Sequence, residues 1–130
     1  MRLIAPLLLV ACAGEADKSD TGEAAGTPAT FVQVRDEVLV RSCGFGSCHG
    51  AGAAGLQIDG DMTADALVDV SSTVLDDEIL VVAGDSEVSY LIAKMEAAAG
   101  IEGDVMPPSG AISQARIDIV RGWIDSGAPQ

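Results

Sequence analysis

Cys43-Gly44-Phe45-Gly46-Ser47-Cys48-His49-Gly50 organises the rest of the chain, because this stretch holds the single histidine and two of the three cysteines. Two cysteines followed directly by a histidine are the pattern through which a protein attaches haem covalently. Each thiol adds to a vinyl group, and the adjacent imidazole binds the iron. The usual pattern has two residues between the cysteines, whereas four lie between Cys43 and Cys48. The spacing alone does not establish a haem site, so evidence from the other residues is needed.

The wider spacing places the strain on Cys43, because His49 still follows Cys48 directly. Cys43 has to reach the second vinyl group across the extra residues of the loop. Gly44 and Gly46 can adopt positive φ angles, which would let this loop bulge outward.

Two other interpretations of the same residues stay open. A disulfide between Cys43 and Cys48 is possible in an oxidising compartment. Closing so short a loop would constrain the unfolded chain by only about 2 kcal/mol, and it would leave His49 without a role. A zinc site is a poorer interpretation, because two cysteines and one histidine leave a fourth ligand missing.

The composition limits the possible functions. For 130 residues, of which 48% are apolar, we expect one folded domain. Aromatic residues make up only 3% of the chain, so a large, flat, apolar cofactor could complete the core. A formal net charge of -13 argues against nucleic acid as a partner, since phosphates attract Lys and Arg. The same charge would steer a basic partner protein, or it is simply a solvated acidic surface.

The N-terminus predicts export and a lipid anchor. Residues 1–11 resemble a bacterial lipoprotein signal peptide, with a basic start and an apolar run too short to span a bilayer. The run ends in Leu9-Val10-Ala11-Cys12, which resembles a lipobox. That resemblance implies cleavage before Cys12 and lipid attachment to this cysteine. Cleavage by an ordinary signal peptidase near Ala11 or Ala13 is the alternative, and it would give a free periplasmic protein.

The location and the linker follow from the next residues. Ala13 is not the aspartate that typically retains lipoproteins in the inner membrane, so the resemblance favours the outer membrane, facing the periplasm. Residues 12–28 are small, acidic or hydroxylated, and they predict a flexible linker. The folded domain is therefore expected to span residues 29–130.

The spacing of apolar residues predicts an all-α domain of three to four helices joined by long loops. The predicted helices run from a cap at Thr27 or Thr30 to about Arg41, from Thr63 to Val70, from a cap at Ser86 through Glu87 to about Ala98, and from a cap at Ser113 to Gly127. Their inner faces are expected to carry Val88, Leu91, Ile92 and Met95 in the third helix and Ile117, Val120, Trp123 and Ile124 in the last. Residues 78–82 are expected to form a buried extended segment with nothing to pair with. Long loops are acceptable in a small domain if a buried group holds them together.

From Phe31 to Pro129 the chain resembles a class I c-type cytochrome domain of the kind found in bacterial envelope proteins. The resemblance rests on the order of four pieces: the helix leading into the Cys43 loop, residues 82–91, Met106-Pro107-Pro108, and residues 119–129. It implies a small cytochrome c-like helical fold around one haem c, in which the first and last helices cross. It also implies thioether bonds to Cys43 and Cys48, His49 as the proximal iron ligand, and Met106 as the distal ligand.

The residues agree with these implied roles. Because His49 is the only imidazole, a second iron ligand has to be another group, and a thioether is suitable. Met106 precedes two prolines that stiffen its loop, whereas Met95 is better explained as a core residue and Met62 has no assigned role. Candidate donors to the haem propionates are Arg41, Arg116, Arg121 and the Trp123 indole.

The first hypothesis is therefore a lipid-anchored, monohaem electron carrier that exchanges electrons with redox partner proteins and is not an enzyme. The alternative is a non-haem envelope lipoprotein that serves as a binding or structural module, with Cys43 and Cys48 joined as a disulfide.

Overall fold

The structure is a computed structural model and describes residues 27–130. The predicted signal peptide, the lipid site at Cys12 and almost all of the predicted linker lie outside the described residues. None of the helices within residues 27–130 is long and apolar enough to cross a membrane.

The described chain is rich in helix. Its helical elements are α1 at 31–43 (Phe31–Gln33, then π-type turns at Val34–Leu39, then Val40–Cys43), α2 (Tyr90–Glu96), α3 (Gln114–Asp125), and single 3-10 turns at His49–Ala51, Ala53–Gly55 and Ala64–Ala66. No strand occurs within residues 27–130, where only isolated bridges form, such as the one between Val68 and Val81. This arrangement is compatible with the predicted all-α class.

The core forms where α1 and α3 pack together. The rings of Phe31 and Trp123 lie with their centroids 5.3 Å apart, and Trp123 is fully buried. Its indole N–H donates to the carbonyl of Pro129 at 2.7 Å, which satisfies the one polar atom of a buried side chain. α3 contacts both the π-type turns of α1 and the shorter α2. The predicted inner face of α3 is confirmed, because Ile117, Val120 and Ile124 are also buried.

α1 begins as its sequence predicts. The Thr30 hydroxyl accepts a hydrogen bond from the Gln33 N–H at 3.3 Å and caps the helix. The π-type turns lead into a last α-helical turn that ends at Cys43. α1 therefore delivers Cys43 directly from the core, where it packs against buried apolar residues, to the start of the loop.

The prediction of a helix from Thr63 to Val70 is wrong beyond its first turn. Only Ala64–Ala66 is helical, as a 3-10 turn. The chain then pairs with the segment 78–82: the Val81 N–H donates to the Leu67 carbonyl at 3.1 Å, and the Asp69 N–H donates to the Val81 carbonyl at 3.0 Å. The prediction that 78–82 has nothing to pair with is therefore also wrong, because tertiary pairing overrides the local helical signal.

The prediction of an N-cap at Ser86 is wrong as well. The Ser86 N–H and hydroxyl both donate to the Asp125 carboxylate of α3, at 2.9 and 3.1 Å. The Ser89 hydroxyl accepts from the Val82 N–H and donates to the Asp85 carbonyl. These bonds hold the chain in turns until α2 begins at Tyr90, and they leave Val88 55% exposed rather than on the inner face. α2 ends at Glu96, before Gly100, because Ala97 adopts a left-handed conformation with φ 55°.

Candidate functional site

His49 has an orientation fixed by the backbone. It opens a 3-10 turn directly after Cys48, and its Nδ1 lies 3.1 Å from the carbonyl oxygen of Leu56. A carbonyl oxygen can only accept a hydrogen bond, so Nδ1 carries the proton and donates it. In the neutral form of the ring, this tautomer leaves the lone pair of Nε2 for another partner. Histidine ligands of metals commonly use this arrangement, in which one nitrogen donates to the protein and the other binds the metal.

The loop between the cysteines is held by hydrogen bonds within its own backbone. The Phe45 carbonyl accepts from the Cys48 N–H at 2.8 Å and from the Gly50 N–H at 3.1 Å. The loop is thus folded back on itself ahead of His49, and the Phe45 side chain is exposed.

Gly44 and Gly46 do not use the positive φ angles that are open to glycine. Gly44 has φ -80°, and Gly46 is not among the residues with positive φ. Gly44 is needed for space, because a Cβ there would lie 2.7 Å from the Val40 carbonyl oxygen. A Cβ on Gly50 would overlap the Gly44 carbonyl oxygen. The two ends of the loop meet backbone to backbone at Gly50, whereas Gly44 lies against the backbone of Val40 and Ile58, so neither position has room for a Cβ.

The two cysteines differ in their surroundings. Cys43 is buried and Cys48 is half-buried, and neither forms a disulfide within residues 27–130. Burial, with a smaller contribution from the neighbouring Cys48, raises the pKa of the Cys43 thiol to about 11. Cys43 is therefore a neutral thiol near physiological pH.

Met106 is carried by a loop, residues 101–110, that is attached to α2. The Met106 N–H donates to the Lys94 carbonyl at 2.8 Å. The Lys94 ammonium donates to the carbonyls of Glu102 and Asp104, at 2.7 and 2.5 Å. The Tyr90 hydroxyl accepts from the Glu102 N–H at 3.0 Å. The Met106-Pro107 peptide is cis.

These side chains meet at two cavities. The larger has a volume of about 350 Å³ and is bordered by Cys43, His49 and Met106. The smaller, about 190 Å³, is bordered by the same three residues together with Cys48. Much of the wall of the larger cavity is apolar and includes Leu56, Ile58, Val70, Leu80, Leu91 and Met95. Its volume lies within the range usual for cofactor pockets.

The residues around these cavities fit a haem. An imidazole with a free Nε2 and a thioether border the same space, and both are ligands of haem iron. Two thiols lie on the smaller cavity beside the imidazole. The apolar wall is suited to a flat apolar ring. Within residues 27–130, no three His, Cys, Asp or Glu side chains group as metal ligands.

The proposed donors to the propionates lie elsewhere. None of the four borders either cavity. The Trp123 indole is bonded to Pro129, and Arg121 forms ion pairs with Glu87 and Glu96 at 2.6 and 2.8 Å. Among the described residues, Lys94 is instead the one lysine or arginine that borders these cavities.

Lys94 and Tyr90 were not predicted from the sequence as residues of the site. Their spacing of four residues places both on one face of α2, and this signal was available. What the sequence did not show is that the Met106 loop folds onto that face.

Comparison of the chain with protein-family models, with curated proteins and with solved structures finds no match. The resemblance to c-type cytochromes therefore stays a prediction, and the chemistry of the site follows from its own residues.

Proposed function

We propose that this protein is a monohaem c-type cytochrome that carries electrons in the bacterial cell envelope. The observation that supports this most strongly is the meeting of His49 and Met106 at one cavity, with the His49 Nδ1–H already bonded to the Leu56 carbonyl. In this proposal the fold is a cytochrome c-like helical domain. Export and lipid attachment at Cys12 hold it at the membrane, most simply the outer membrane facing the periplasm.

Each residue has a defined task in this proposal. His49 presents Nε2 to the iron, and its hydrogen bond to the Leu56 carbonyl holds the ring and raises its basicity. Met106 would supply a thioether as the second iron ligand, and such a ligand would give a higher reduction potential than a second imidazole. Cys43 and Cys48 hold the porphyrin through thioether bonds. The haem supplies an iron that alternates between ferric and ferrous states.

The surroundings set the energetics of electron transfer. The apolar wall lowers the local dielectric constant, which disfavours the extra positive charge of the oxidised iron and raises the potential. The net charge of -13 favours the oxidised iron and therefore lowers the potential. The same charge attracts a basic redox partner. No substrate chemistry is required of any side chain, so the protein is proposed to be a carrier rather than a catalyst.

Haem attachment is the first test. The full chain is expressed in a periplasm with haem-maturation machinery, and a denaturing gel is stained for haem peroxidase activity. We expect a stained band for the wild-type chain and loss of stain or of the low-spin spectrum in His49→Ala. An unstained wild-type band, with a mass lower by two hydrogens, would instead support the non-haem module with a Cys43–Cys48 disulfide.

The distal ligand is tested separately. Met106→Leu should keep covalent haem but lose the weak ferric band at about 695 nm that indicates Met ligation. Met62→Leu is the matched control, because Met62 is buried but borders neither cavity. A band that survives in Met106→Leu would refute the role of Met106.

A further inference from the structure

The Met106 loop has little structure of its own. Among residues 101–110 one backbone hydrogen bond joins two members of the loop, from the Gly110 N–H to the Pro107 carbonyl. Its remaining bonds run to two residues of α2. A loop of this kind is ordered by its neighbour, because its own contacts do not offset the conformational entropy lost on ordering.

Lys94 makes most of these bonds. Its carbonyl accepts from the Met106 N–H, and its ammonium binds the carbonyls of Glu102 and Asp104. One residue therefore holds the loop on both sides of Val105. Tyr90, one helical turn earlier and buried, adds the bond from the Glu102 N–H to its hydroxyl. Hydrogen bonds from an ammonium to carbonyls are charge-assisted and therefore stronger than neutral ones.

We infer that Lys94, assisted by Tyr90, is a positioning residue that holds the Met106 loop against α2 so that the Met106 thioether reaches the iron. This inference rests on the proposed function. A thioether is a neutral, weak ligand, so it stays bound only if the loop already lies in the right place. Lys94 and Tyr90 supply that placement through contacts that the protein makes on its own, and they touch the loop rather than the iron.

The test compares variants of the haem-loaded protein. Lys94→Leu removes the two hydrogen bonds of the ammonium group without introducing a sulfur ligand. We expect this variant to keep haem staining but to lose most of the band at about 695 nm and to have a lower reduction potential. Lys94→Arg should restore both, because it keeps charge and donors. Tyr90→Phe should weaken the band partly and changes no charge. Arg116→Leu removes an exposed charge that borders neither cavity and should leave the band unchanged.

The outcomes separate the inference from the proposed function. A Lys94→Leu protein with an unchanged band and potential would overturn the positioning role while leaving the cytochrome proposal intact. A wild-type chain without haem would overturn the cytochrome proposal, and the iron-directed role of Lys94 with it.

Hydrogen exchange on the haem-free chain tests the contacts directly, even if haem loading of a variant fails. We expect the Met106 and Glu102 amides to exchange at least tenfold faster in Lys94→Leu than in the wild-type chain or in Arg116→Leu. Equal protection in all three proteins would show that Lys94 does not hold the loop.

Discussion

The packed half and the cavity half of this domain are stabilised in different ways. The packed half, formed by α1 and α3, holds Phe31 against Trp123 with their ring centroids 5.3 Å apart. The cavity half, residues 43–58 and 101–110, consists of turns and loops around a cavity of about 350 Å³. The first is held by side-chain packing. The second is held by glycines and by hydrogen bonds to its backbone groups, which come from other backbone groups and from the side chains of Lys94 and Tyr90.

Because of this difference, substitutions in the packed half should mainly affect stability, and substitutions in the cavity half should mainly affect ligand binding. Side chains of the packed half contact each other, so their loss should lower the free energy of unfolding. Side chains of the cavity half, such as His49 and Met106, face the space between the loops, so their loss should change binding more than stability. Cys43 belongs to both halves, since it packs in the core and borders both cavities.

The largest effect is expected in the packed half. Trp123→Ala should lower the free energy of unfolding by about 3–5 kcal/mol, because it removes a fully buried aromatic side chain and the Phe31 contact. Urea unfolding followed by far-UV circular dichroism measures this, since the only tryptophan is lost. Phe45→Ala, at a 57% exposed aromatic residue, is the control and should change stability by less than about 0.5 kcal/mol. Equal losses in both variants would contradict the division into two halves.

The next effect concerns the residue shared by both halves. Because burial raises the pKa of the Cys43 thiol to about 11 from 9.0, its thiolate fraction at mildly alkaline pH is roughly a hundredfold smaller than in the unfolded chain. Alkylation of Cys43 in the haem-free, folded protein should be slower by at least that factor than in urea, as followed by mass spectrometry of the modified peptide. Similar rates in both states would place Cys43 at an open surface.

A smaller effect is expected where the two ends of the cysteine loop meet. Gly50→Ala should lower stability by about 1–3 kcal/mol, because the added Cβ overlaps the Gly44 carbonyl oxygen. Gly46→Ala is the matched control in the same loop, since nothing lies within 4 Å of a Cβ there. Thermal unfolding of the haem-free proteins compares the two. A tolerated Gly50→Ala would mean that the loop relaxes freely.

The smallest effect lies at the rim of the packed half. Arg121 pairs with Glu96, and this hydrogen bond lowers the pKa of the Glu96 carboxyl below its ordinary value of 4.5. The stabilisation is therefore fully present above that ordinary value, and it is lost as the pH falls through the lowered pKa of the folded state. Because both side chains are partly exposed, Arg121→Gln should cost no more than about 1 kcal/mol at neutral pH. The difference from wild type should shrink towards pH of about 3 in urea unfolding, and a difference that grows would contradict the assignment.

The helices that face the core were predictable to different extents. Phe31, Val34 and Val38 mark the buried face of α1, and the last helix begins after Ser113 as predicted. The start of α2 was not predictable, because Ser86 looks like a cap locally but is bonded to Asp125, which lies far along the chain. The end of the second predicted helix was also wrong because of a tertiary contact, since residues 67–69 pair with Val81.

The sequence also identified side chains that border one or both cavities, namely Cys43, Cys48, His49 and Met106, although their role as haem ligands stays a prediction. It did not identify the Leu56 carbonyl that orients His49, because any residue can supply a backbone carbonyl. Nor did it identify Lys94, whose contacts are with backbone atoms of a loop.

The sequence alone was enough to establish which chemical groups are available at the site and which faces of α1 and α3 are apolar. Both follow from residue type and helical spacing, which are local properties. Tertiary structure sets which carbonyls those groups meet, where α2 begins, and why Gly44 and Gly50 are required. The start of α2 depends on the approach of segments far apart in the chain, whereas the contacts of His49, Gly44 and Gly50 depend on how the loop folds back. Backbone groups, which carry no residue identity, make most of these contacts.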